Sequence, residues 1–254
     1  MSTAVPVIPN PDATPPLNEG QRIINTFIAP RKTFADIRRS AMWLAPWLLM
    51  AVIGIGYSTT VGKKIGWEQV SQNNTRMAPA SQTARLEALP PEQRVVAERR
   101  QVTITKGIAY GFSVLSLIWL VMVALVLWGT FNFGAGAEMR FGQALAILVY
   151  ASLPGILKTI LAVIILFVGI DAENFLIQNP VGTNLGYYLS FTDTPRFLYS
   201  LASSFDLFLI WTLILTAIGF SVVGKVKQGT AMAIVFGWFV AFAVCSAGIA
   251  AAFA

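Results

Sequence analysis

Lys158 stands deep in an apolar stretch of this 254-residue sequence, with Pro154 one turn before it and Gly155 between them. A second charge, Asp206, stands just inside another apolar run, ahead of Leu207, Phe208 and Trp211. A lysine at the centre of a bilayer costs about 2.5–3.5 kcal/mol on insertion scales, and each Leu, Ile or Val returns about 0.3–0.6. The apolar residues from Ile156 to Leu166 can carry that cost, so insertion is not threatened. An ionisable group retained at such a place points by default to an ion or substrate pathway. The structural alternative is a break at Pro154 and a long stem that lets the amine snorkel to an interface or cavity. Register argues against pairing Lys158 with Asp206. The lysine falls near mid-span and the aspartate about one turn from an end, an offset of roughly 10 Å at 1.5 Å per residue. A hydrogen bond that Asp206 accepts from Ser203 or from a neighbouring helix is expected instead.

Other chemistry is scarce. Histidine is absent, which removes His-based acid/base catalysis, Ser-His-Asp triads and His-ligated metals together. Glu87, Glu92 and Glu98 have Arg85, Arg94, Arg99 and Arg100 as neighbours and read as solvated helix faces. Cys245 is the sole cysteine, excludes an intrachain disulfide and reads as a small buried apolar residue. Gly219 to Lys225 has the G-x-x-x-x-G-K spacing of a P-loop, but Val226 replaces the Ser/Thr that would bind magnesium and the glycines fall in a membrane helix. The stretch FGAGAEMRFG, residues 133–142, does not match G-x-G-x-x-G and reads as a tight polar hairpin. No catalytic, cofactor or metal site is expected, and the chain is not expected to be an enzyme.

The elements that must position Lys158 and Asp206 follow from where charge is missing. Apolar residues make up 56% of the chain and charged residues 12%, about half the share of a soluble domain. The fold expected is all-α, a polytopic bundle of five transmembrane helices over about 41–60, 107–133, 143–170, 202–223 and 229–253. Residues 1–18 are Pro-rich and read as a disordered tail. They contain no apolar signal-peptide core, so the first span is expected to serve as the targeting signal. Residues 19–40 predict two short amphipathic helices, with Asn18 as N-cap of the first and Pro30 opening the second. Arg31, Lys32, Arg38 and Arg39 flank them, so they are read as interfacial helices lying apolar side down on an anionic membrane face. The alternative is packing on the protein's own loops. Residues 61–106 form a polar helical loop whose last helix starts at Pro91 and runs into the second span. Thr194 and Pro195 read as an N-cap and N1 pair for the fourth helix, and Ala243, Ala247 and Ala251 give the fifth a small-residue row for close packing.

Charge leaves the topology open between two arrangements. Five crossings with the N-terminus inside put eight basic residues inside and nine outside, but eight against one once the long polar loop is set aside. A re-entrant first run would place fourteen inside and three outside.

Pro30-Arg31-Lys32-Thr33-Phe34 with Ile37, leading to Trp43-Leu44-Ala45-Pro46, resembles the opening of bacterial members of the Yip family of Ypt/Rab-interacting membrane proteins. The glycine hairpin before Phe141, Tyr150-Ala151 with Pro154, and Asp206-Leu207-Phe208 with Trp211 continue the likeness over about residues 25–250. The resemblance implies five spans, a cytoplasmic N-terminus and, as in eukaryotic members that bind prenylated GTPases, work through partners rather than catalysis. The expectation is a non-catalytic multi-pass protein of the bacterial inner membrane that organises membrane or recruits partners, with the lipid bilayer as its first partner and no role for nucleic acid. The alternative is a small transporter or channel using Lys158, the Pro154 kink and Asp206.

Overall fold

The computed structural model describes residues 15–169, 171–191 and 193–252, so most of the Pro-rich tail lies outside the described residues. The first helix, α1, Glu19–Ile28, is closed by a reciprocal cap: the Asn18 side chain accepts from the Gln21 amide, and the Gln21 side chain accepts from the Asn18 amide. Pro30 stands at the first position of α2, Pro30–Ile37, where its missing N–H costs nothing. Both helices start where the sequence puts them. Their apolar faces go elsewhere. Phe34 and Ile37 are fully buried in the protein core, and α2 packs on the helices Phe141–Ala151 and Leu207–Gly224. The apolar side of α2 is therefore spent on protein and not on lipid, whereas α1 keeps Ile24 and Ile28 outward.

Five helical passes are long and apolar enough to cross a membrane: Leu44–Lys64, Pro91–Gly134, Phe141–Val168, Leu207–Gly224 and Gln228–Ala252. The first is α3, Leu44–Lys64, with Pro46 in its opening turn. Two short helices follow, α4, Trp67–Arg76, and α5, Ala80–Glu87. Pro91 then opens α6, Pro91–Gly129, which ends in a π turn at Thr130–Gly134. This pass of 44 residues is about 66 Å long, twice the hydrocarbon thickness, so its polar first turns project beyond the apolar bundle with α4 packed against them.

The third pass is broken, and the fourth is preceded by a short helix of its own. The third consists of α7, Phe141–Ala151, and α8, Pro154–Val168; the fourth is α10, Leu207–Gly224, with a separate helix α9, Arg196–Ser204, ahead of it. Pro195, not Thr194, takes the cap position of α9. The last pass is α11, Gln228–Ala252, with α9 and α10 alongside it and Ala243 and Ala247 buried. Cys245 lies on its outward face, a correction to the buried position expected. The core centres on α7, where every residue from Ala144 to Ala151 is buried.

Side-chain clamps define two ends. At one, Trp128 Nε1 and Asn132 Nδ2 donate to the Met139 carbonyl at 2.8 and 3.0 Å, folding the 133–142 hairpin back. Gln143 Nε2 donates to the Arg38 carbonyl at 3.2 Å, and Arg31 donates to Gln228 at 3.3 Å, so α2, the hairpin and the α10–α11 turn share that end. At the other, Asn73 Nδ2 donates to the carbonyls of Ala172 and Phe175, both at 2.8 Å, tying α4 to the loop after α8. The α3 helix packs on α6 and α8. With Cys245→Ala as background, Gln82→Cys and Glu173→Cys are expected to react with an impermeant maleimide from one side of the membrane and Lys227→Cys from the other. All three side chains are exposed. Reaction of Gln82→Cys and Lys227→Cys from the same side would refute the crossing.

Candidate functional site

Contrary to the register argument, Lys158 and Asp206 form a direct ion pair, Nζ to Oδ2 at 2.9 Å. The break before α8 and the separate helix before α10 explain it. Pro154 does not kink a continuous helix; it starts α8 after a tight turn in which Gly155 and Ile156 donate to the carbonyls of Ser152 and Leu153. Lys158 then lies ten residues, about 15 Å, before the end of α8. Asp206 follows a complete nine-residue helix, α9, about 13 Å long. The two groups therefore sit at similar depths from the same end. Counting from the onset of apolar sequence at 202, and not from the helix start, produced the false offset.

Asp206 is the N-cap of α10: Oδ1 accepts the amides of Phe208 and Leu209 at 3.0 and 3.2 Å. Oδ2 accepts the Thr183 hydroxyl at 2.5 Å in addition to Lys158. The backbone N–H of Leu207 donates to the Thr183 carbonyl at 2.9 Å, and Asn184 pairs antiparallel with Asp206. The long loop after α8 thus folds inward, held by side-chain bonds between Asn179 and Asn184. The expected bond to Ser203 is absent; its Oγ is buried without a partner. Four donors fill the carboxylate's acceptor positions, and the arrangement is charge-neutral. It joins three segments and leaves no free base or nucleophile. Among the described residues no group of three His, Cys, Asp or Glu could hold a metal ion.

A second buried polar cluster went unseen in the sequence. Arg22, 3% exposed, donates through Nε to Asp36 Oδ2 at 2.7 Å and through Nη1 to Glu19 at 3.3 Å. The Tyr150 hydroxyl donates to Glu19 at 2.6 Å, and the hydroxyls of Thr26 and Thr33 both donate to the Arg22 carbonyl. Burial opposes the Arg22 charge, but the hydrogen bonds to Asp36 and Tyr150 outweigh it and hold its pKa above the ordinary value. The usable signal was the i, i+3, i+4 row Glu19, Arg22, Thr26, which faces Thr33 and Asp36 once the chain turns at Ala29.

The four basic residues assigned to the membrane face separate into two pairs. Arg31 and Lys32 are exposed at the start of α2. Arg38 and Arg39 line a cleft of about 550 Å³ with Glu138, Arg140, Gln143 and Lys225. Arg39 also approaches Asp36 at 4.0 Å. The P-loop-like stretch has a packing role: Gly219 lies against Ile147 and Phe34, and Gly224 against Met139 and Ala137, with no room for a Cβ.

No curated protein and no solved structure matches the chain. A family model described as the Yip1 domain matches residues 24–249, from within α1 to the last turns of α11. That match takes in α2, all five passes and the ion pair between α8 and α10, and the chain belongs to the Yip1-domain family of multi-pass membrane proteins.

Proposed function

We propose that this protein is a non-catalytic organiser of membrane, or recruiter of partners to it, in a bacterial inner membrane. In this reading the end bearing α2 faces the cytoplasm and acts on anionic lipids. The observation that carries the reading is how charge is sorted. Residues 15–43, 134–141 and 224–228, which meet at that end, hold eight basic residues against three carboxylates, while the deep lysine is already neutralised by Asp206. An excess of Lys and Arg in short loops favours the cytoplasmic side, and basic side chains there attract anionic headgroups.

The rival is a small transporter or channel, favoured by a broken third pass that meets the start of the fourth at one ion pair, as discontinuous helices do in transporters. Reconstitution of the full chain in phosphatidylcholine–phosphatidylglycerol vesicles separates the two. A self-quenching phosphatidylglycerol is expected to cluster around the protein and to disperse when Arg31, Lys32, Arg38 and Arg39 are all replaced by Gln, with no ion flux above that of empty vesicles. Flux that Lys158→Leu abolishes would replace this reading with the transporter.

A further inference from the structure

The cleft at the end of α2 gathers four cations from three separate stretches of chain. Arg38 and Arg39 come from the last residues after α2, Arg140 from the start of α7, and Lys225 from the turn that ends α10. Glu138 is the one carboxylate among the lining residues. Like charges lining one cleft repel, so a fixed scaffold or an anion favours the cluster. The scaffold is Gln143. Its Oε1 accepts the Arg140 amide at 2.9 Å while its Nε2 donates to the Arg38 carbonyl at 3.2 Å, which sets the spacing of the two arginine backbones. Lys225 adds an independent sign. Its φ of 53° makes it the one non-glycine residue in the left-handed region among the described residues. Gly or Asn would take that helix-ending position at less cost, and lysine there puts a cation among the residues lining the cleft.

We propose that this cleft binds a phosphate group, with the guanidinium of Arg140 and that of Arg38 or Arg39 as forked donors and Lys225 as a point charge. The cleft, about 550 Å³, is larger than one phosphate, so its ligand is a phosphate ester: the headgroup of an anionic lipid, or a soluble phosphate compound. The inference rests on the reading that this end of the molecule works on anionic partners, but it uses Arg140 and Lys225 and makes no use of Arg31 or Lys32.

Two measurements on the full chain test it. Native mass spectrometry from mixed phosphatidylcholine–phosphatidylglycerol vesicles counts retained phosphatidylglycerol. Thermal unfolding in a zwitterionic detergent reads stabilisation by inorganic phosphate. One retained phosphatidylglycerol per chain is expected, with retention falling about tenfold in Arg140→Gln and in Lys225→Asn and unchanged in Arg31→Gln. Lys225→Asn suits the left-handed turn, and circular dichroism confirms that each variant is folded. Phosphate stabilisation with the same dependence on variants identifies a soluble phosphate compound as a ligand; retention of lipid without a phosphate effect identifies the headgroup. Equal retention in all variants, or neither signal in the wild type, overturns the site. Loss of lipid clustering in the four-residue Gln variant, together with an unaffected Arg140→Gln, would overturn the cleft alone and leave the proposed function standing.

Discussion

Asp206→Ala is expected to destabilise the bundle by about 3–4 kcal/mol, while Lys158→Met costs about half as much. The difference follows from the geometry. Removing the carboxylate strands the Lys158 ammonium, leaves the Thr183 hydroxyl without its acceptor and strips α10 of its cap. Breaking a buried pair from one side costs about 3–5 kcal/mol and losing a cap about 1. The sum, about 4–6 kcal/mol, falls to about 3–4 because the freed ammonium can snorkel along its long stem instead of staying buried and unpaired. Removing the lysine instead leaves Asp206 with three donors, two of them backbone amides at a helix N-terminus. Asn is a good N-cap, so Asp206→Asn combined with Lys158→Met is expected to recover most of the loss. Unfolding in mixed micelles followed by circular dichroism measures all three. Equal losses in Asp206→Ala and Lys158→Met would mean that the pair, and not the cap and loop it anchors, is the whole contribution.

What could be read in the sequence was local or compositional. The Asn18 cap, Pro30 at the start of α2, and the unbroken helix from Pro91 into the second pass each depend on residues within a turn of one another. The spans depend on missing charge, which survives any packing. What could not be read depends on contacts between distant segments. Asp36 reaches Arg22 across 14 positions, and Tyr150 reaches Glu19 across 131. A basic residue on an amphipathic helix ordinarily reads as solvated, and the Glu19, Arg22, Thr26 row points to burial only once Asp36 is known to face it. The same limit hid the Lys158–Asp206 pair. Its depth depends on where α8 and α9 begin, and those starts are set by Pro154 and Pro195, while the apolar onset lies several residues away.

Phe34→Ala is expected to cost about 3–5 kcal/mol, the loss typical of a large aromatic in a packed core. An α2 helix lying on lipid would lose far less, because lipid tails close around a smaller side chain. In this structure Phe34 is fully buried, and its ring meets Gly219, where the absent Cβ lets α2 approach α10. Truncation leaves a cavity walled by Ile147 and α10, which the surrounding helices can fill only in part. Ile28, 75% exposed on α1, is the control, and Ile28→Ala is expected to change stability by less than about 0.5 kcal/mol. The same micelle unfolding experiment compares the two, with tryptic cleavage after Arg38 or Arg39 as a local reading of α2 release. If both variants unfold alike and cleavage is unchanged, α2 is not docked in the bundle. Docking also carries a consequence for binding. Phe34 and Ile37 hold the helix that delivers Arg38 and Arg39 to the cleft, so Phe34→Ala should weaken retention of the phosphate-bearing ligand although it removes no charge. Ile28→Ala should leave retention intact.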